Sequence, residues 1–174
     1  MQTLKALAAI ASTDSHRPHI AGIHIEHKDD RAVGVATDGH ILVALDLGAA
    51  DAIAPQFVPT TALKPFKKGE ADLSVAGVIA CGGVRAEYDA TDNYPNWRAI
   101  LPREPASGEA AQFDAVLLEK LRKFSVALGG KSLFRVYHAG GNPARVVLPI
   151  DVPHYALIMP LRRIELDNSL PSWL

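Results

Sequence analysis

The sequence predicts an α+β fold in which antiparallel sheets carry helices on one face. Three observations support this. Short apolar runs of strand length fill most of the chain, and turns rich in Gly, Asn or Asp separate them. Helical periodicity is confined to three short stretches. One order, a helix followed by several strands, recurs three times, giving β-α-β-β-β-like units.

The first helix is expected over residues 4–11, with Thr3 as a cap and Leu4, Leu7, Ala8 and Ala11 on one side. Strands follow over 20–27, 32–36 and 41–47. The last two flank Asp38-Gly39 within VATDGHILVALD (35–46). An Asp-Gly pair between alternating apolar residues is a strong hairpin signal, since both central positions of a type I′ turn need positive φ. The second unit opens with a short strand at 56–58, then a stubby helix from Thr60 that Pro65 and Gly69 keep short. Strands are expected at 72–76, 78–81 and 84–90, with turns at Gly77 and Gly82-Gly83.

The third unit has the clearest pattern. Gln112-Phe113 reads as a short strand and Asp114 as a helix cap. Leu117, Leu121, Phe124 and Leu128 share one helical stripe, which Gly129-Gly130 ends. Strands are expected over 132–138, 144–150 and 155–161, with Gly140-Gly141-Asn142-Pro143 as a turn. The stretch PREPASG, from Pro102 to Gly108, reads as a linker. The expected division is a two-unit domain over 1–102, a linker over 103–110, a half domain over 111–163 and a tail over 164–174. The run YALIMPL (155–161) is apolar on both faces, so a loop, the tail or a partner must cover the second face.

Composition narrows the class. With 174 residues, 48% of them hydrophobic, the chain can bury a real core. A net charge of −1 advertises no global field for nucleic acid. Cys81 is the only cysteine, which excludes an internal disulfide and suits a reducing cytoplasm. No apolar run approaches a membrane span, and MQTLKALAAIAS is too short and too weakly apolar for a signal peptide. The expectation is a soluble cytoplasmic protein. Nucleophile elbows, phosphate-binding glycine loops and His-Glu-x-x-His are missing from the sequence, so no catalytic residue is assigned and the chain reads as a non-enzyme. Seven histidines include His16, His19, His24 and His27, but a closed zinc site needs about four converging ligands, so neither metal nor cofactor is expected.

Three stretches in order, VATDGHILVALD (35–46), YPNWRAILP (94–102) and HYALIMPLR (154–162), resemble motifs of the bacterial β sliding clamp family, the processivity factors of replicative DNA polymerase. The resemblance covers about residues 1–102, which look like the family's middle domain, and 111–163, which look like the last half of its final domain. It implies a hydrophobic pocket where DNA polymerase or other clamp-binding proteins dock a short linear peptide. Carried over by motif, that pocket comprises Thr37, Gly39, His40, Leu42, Pro102, Leu157 and Met159. Leu42, Pro102, Leu157 and Met159 supply apolar walls, while Thr37 and His40 orient polar groups. Ile41 stands where the family commonly has arginine.

The resemblance also implies helices that face double-stranded DNA inside a ring. The candidate cations are Lys64, Lys67, Lys68, Lys120, Arg122, Lys123 and Lys131, together with Lys5. Contacts to phosphate would be salt-sensitive and blind to sequence. The family ring holds twelve units, so three per chain implies that several copies assemble as a homo-oligomer. The tail ends NSLPSWL, which loosely resembles the peptides that clamps bind.

Overall fold

A computed structural model describes residues 1–101, 111–138 and 140–161. Its elements follow from where apolar residues fall. Helix α1 (Gln2–Ile10) turns Leu4, Ala6, Leu7 and Ile10 inward. Strands β1 (Gly22–Lys28), β2 (Arg31–Thr37) and β3 (Ile41–Ala49) form an antiparallel meander. Strand β4 (Gln56–Pro59) returns to pair with β1. A 3-10 turn at Thr60–Leu63 takes the place of the stubby helix. Strands β5 (Val78–Cys81) and β6 (Val84–Glu87) form a separate hairpin. Helix α2 (Ala115–Ala127) leads into β7 (Arg135–Tyr137), β8 (Ala144–Val147) and β9 (His154–Ile158).

Seven strands make one sheet in the order β4-β1-β2-β3-β9-β8-β7. The central join is β3 with β9, where Leu42 faces Leu157 and Val43 faces Ala156. Side chains alternate across this sheet. Ile23, Ile25, Ile41, Val43, Leu45, Ala156 and Ile158 point to one face and meet Leu7, Ile10, Leu121 and Phe124 of the two helices. Val35, Leu42, Ala44 and Leu157 form a second apolar cluster with Trp97. Buried Gln56 ties the β5–β6 region to the sheet edge: its amide donates to Leu73 O at 3.2 Å, and its carbonyl accepts from Gly77 N at 3.0 Å.

Several elements depart from expectation for local reasons. Thr3 lies inside α1, whose N-cap is Met1, because the helix starts two residues early. Asp114 is a true cap and accepts from Val116 N at 2.7 Å. Residues 72–76 form only isolated bridges, as the Asp72 side chain takes Ser74 N at 2.9 Å and turns the chain away. Gln112 offers one carbonyl to Leu161 N at 2.8 Å but joins no ladder. The turn after β2 is centred on Gly39-His40, since Asp38 N donates to Ile41 O. Only Gly39 has positive φ, at 93°, so a single glycine suffices where a I′ turn would need two left-handed residues. Pro102, the linker and the tail lie outside the described residues.

Candidate functional site

The second apolar cluster is covered by the chain itself. The segment 91–101 crosses the face of the sheet opposite the helices and lays Trp97 over Leu42 and Leu157. His24 and Glu26 on β1 hold this segment. Asp92 Oδ2 lies 2.5 Å from His24 Nδ1, and the Tyr94 ring stacks on His24 at 4.9 Å. Glu26 Oε1 accepts from Trp97 Nε1 at 3.2 Å and from Arg98 Nη1 at 2.6 Å. The Arg98 guanidinium stands 4.4 Å over the Trp97 ring. Burial, with Asp92 nearby, pushes the Tyr94 phenol well above its ordinary range. The second face of YALIMPL is therefore covered by an aromatic loop at Leu157.

Beside Trp97 this cover leaves a cavity of about 280 Å³. Thr37, Gly39 and Leu42 form one wall; Pro95, Asn96, Trp97 and Ile100 form the second; Arg17, His19 and Ile20 form the third. Ser12 brings the last wall into place, because its amide hydrogen is shared between Ile20 O at 3.0 Å and Thr37 O at 3.1 Å. The Thr37 hydroxyl donates to Ile41 O at 2.6 Å and accepts from Gly39 N at 3.0 Å. Asp38 Oδ1 accepts from His40 N at 2.9 Å and Ile41 N at 3.0 Å. Burial raises the Asp38 pKa, but the Lys120 hydrogen bond and these two amides outweigh it and hold the carboxyl below its ordinary value.

The structure distributes the residues suggested by sequence. Thr37, Gly39 and Leu42 line the cavity. Leu157 lies opposite Leu42 in the ladder, 2% exposed and sealed beneath Trp97. His40 is exposed at the turn, and its carbonyl accepts from Met159 N at 2.7 Å. Ile41 packs into the core on the helix side. Arg17, His19, Ile20, Trp97 and Ile100, which the sequence reading did not include, line the same cavity. The aromatic in YPNW was the available signal for Trp97; nothing local marks Arg17 or His19.

The cations also separate. Lys120 is bound to Asp38 at 2.6 Å and Arg122 to Glu119 at 2.6 Å. Lys67, Lys68 and Lys123, with Lys5, line a groove of about 720 Å³ between α1, α2 and residues 67–69. Ala6, Ala9, Phe124 and Ala127 form its apolar lining. Lys64 and Lys131 are exposed elsewhere. His24 serves the Asp92 and Glu26 contacts, and His27 Nε2 lies 2.7 Å from Ile53 O on the opposite face. Among the described residues no group of three His, Cys, Asp or Glu side chains could hold a metal ion. Among them, too, no helix is long and apolar enough to cross a membrane.

Two helices on one face of a continuous antiparallel sheet match the sliding-clamp fold. DNA polymerase III subunit beta from Borrelia burgdorferi superposes with a TM-score of 0.67 at 14% identity, covering 93% of this chain and 60% of that one. The DNA polymerase sliding clamp of Pseudomonas aeruginosa gives 0.68 at 14% identity, covering 93% and 63%. The Bartonella birtlesii clamp, solved bound to griselimycin, gives 0.62 at 16% identity with the same coverage of 93% and 63%. The chain thus spans about three fifths of the length of these clamps. No protein-family model and no curated protein matches the sequence.

Proposed function

We propose that this chain is a non-enzymatic, sliding-clamp-like module of DNA replication that docks a short peptide of a polymerase or another clamp-binding protein beside Trp97. One observation carries the reading: the TDGH turn and the YPNW segment, two of the three motifs, converge on one cavity, and the third supplies Leu157 beneath it. A cavity of about 280 Å³ accommodates one or two bulky apolar side chains. Leu42, Trp97 and Ile100 would grip them, and Thr37, Arg17 and His19 would orient the peptide at the rim.

The test is binding of a labelled peptide with a glutamine followed by leucines and an aromatic. Leu157 is a poor target because it is sealed in the sheet. Ile100 is 46% exposed, so Ile100→Glu tests the cavity without gutting the core. The expected result is a loss of affinity of roughly a hundredfold, as a charge enters an apolar contact. Equal affinity in variant and parent would show that the cavity is not the docking site.

The lysine-lined groove favours a second activity, contact with the phosphates of double-stranded DNA by several assembled copies. A module that docks clamp partners without encircling DNA is the alternative.

A further inference from the structure

We propose that Lys120 is a positioning residue for the docking cavity, tying helix α2 to the turn that forms one cavity wall. The inference rests on the docking reading above for its consequence and on the geometry of one carboxylate for its mechanism. Lys120 Nζ donates to Asp38 Oδ2 at 2.6 Å, and the Asp38 side chain is only 12% exposed. The other oxygen, Oδ1, takes the amides of His40 and Ile41. One carboxylate therefore grips the turn backbone with one oxygen and the helix with the other. From the other side His40 O accepts from Met159 N, just past the end of β9. Helix and strand thus hold the turn from two directions, and Gly39 and Thr37 in that turn line the cavity.

The charged groups around Asp38 single out Lys120. On the turn, His40 Nδ1 lies 4.0 Å from Asp38 Oδ1 and its side chain is mostly exposed. Arg17 approaches the turn closely enough that a Cβ on Gly39 would sit 2.9 Å from its Nη1, but its guanidinium is paired with Asp14 at 3.6 Å. Lys120 alone of the three is hydrogen-bonded to the carboxylate at short range. Removing its ammonium leaves a largely enclosed carboxylate without its cationic partner, and the cheapest relief is for Asp38 to swing toward water and release the two amides.

The experiment compares Lys120→Met, which keeps the aliphatic stem, with Lys120→Arg, which keeps the charge. Backbone amide exchange is read at His40 and Ile41, with Leu7 and Phe124 as core controls, and peptide affinity is measured in parallel. Lys120→Met is expected to speed exchange at His40 and Ile41 about tenfold, leave the core amides unchanged and weaken the peptide by a similar factor. Lys120→Arg should retain most of both. Adding Asp38→Asn to Lys120→Met should cost little more, as the two residues act as one unit. Unchanged exchange at His40 and Ile41, or faster exchange with unchanged affinity, would overturn the proposal. If the parent protein binds no peptide, the docking reading itself fails, and the exchange data still decide whether the tether exists.

Discussion

Asp38 concentrates several requirements in one side chain. Its carboxylate caps the turn, binds α2 and stays charged despite being largely enclosed. Because its folded pKa lies below the ordinary 3.8, its contribution to stability is fully present above that value and is lost as pH falls through the lower folded value. Asp38→Asn should therefore unfold several degrees below the parent at neutral pH, corresponding to about 1–2 kcal/mol. The gap should close below about pH 3.8 as the parent carboxyl takes up its proton. Thermal unfolding of both proteins across pH 2.5 to 7 checks this, and a constant gap would deny the carboxylate its role. Gly39 contributes differently, since its φ of 93° is a conformation that other residues adopt only with strain.

At the scale of elements, the segment 91–101 has no regular ladder and depends on side chains for its place. Glu26 is its central anchor, receiving both the Trp97 indole and the Arg98 guanidinium. Glu26→Ala should release the segment from β1, lowering stability by about 1–2 kcal/mol and the melting temperature by about 3–6 °C. Peptide affinity should fall with it, because Trp97 and Ile100 would no longer face the turn. Trp97 fluorescence, measured with Trp173 replaced by Phe, should shift to the red as the ring meets water. An unshifted spectrum with intact docking would mean that the apolar contacts of Trp97 hold the segment unaided.

For the whole molecule, the issue is what a single chain leaves unfinished. Among the described residues strand β7 stands at one end of the seven-strand sheet, and a sheet edge invites pairing with another chain. If the family's ring of twelve units is rebuilt from three per chain, the solution mass must be that of four copies of the 18.6 kDa chain. Light scattering across a range of concentrations measures this; a monomer or dimer would exclude the self-assembled ring of that size. A ring should also remain on circular DNA, slide off once the circle is cut, and lose its grip as salt rises. Docking without such retention would favour the alternative, a module that binds clamp partners without encircling DNA.

The sequence alone determined the α+β pattern, most strands of the sheet, the α2 stripe with its Asp114 cap, and the three motifs that point to a sliding clamp. These are local properties: period, cap chemistry and short ordered words. That Thr37, Gly39 and Leu42 gather around one turn was legible because they sit within one such word, whose glycine the sequence displays; the structure adds that all three line one cavity. Tertiary structure decided the rest. That β3 pairs with β9, that Trp97 closes the outer face, that Arg17 and His19 enter the cavity, and that Lys120 turns to Asp38 are contacts between residues far apart in the chain. Such contacts follow from how the layers pack and which buried charges must be paired, and neither is written in the periodicity of any one segment.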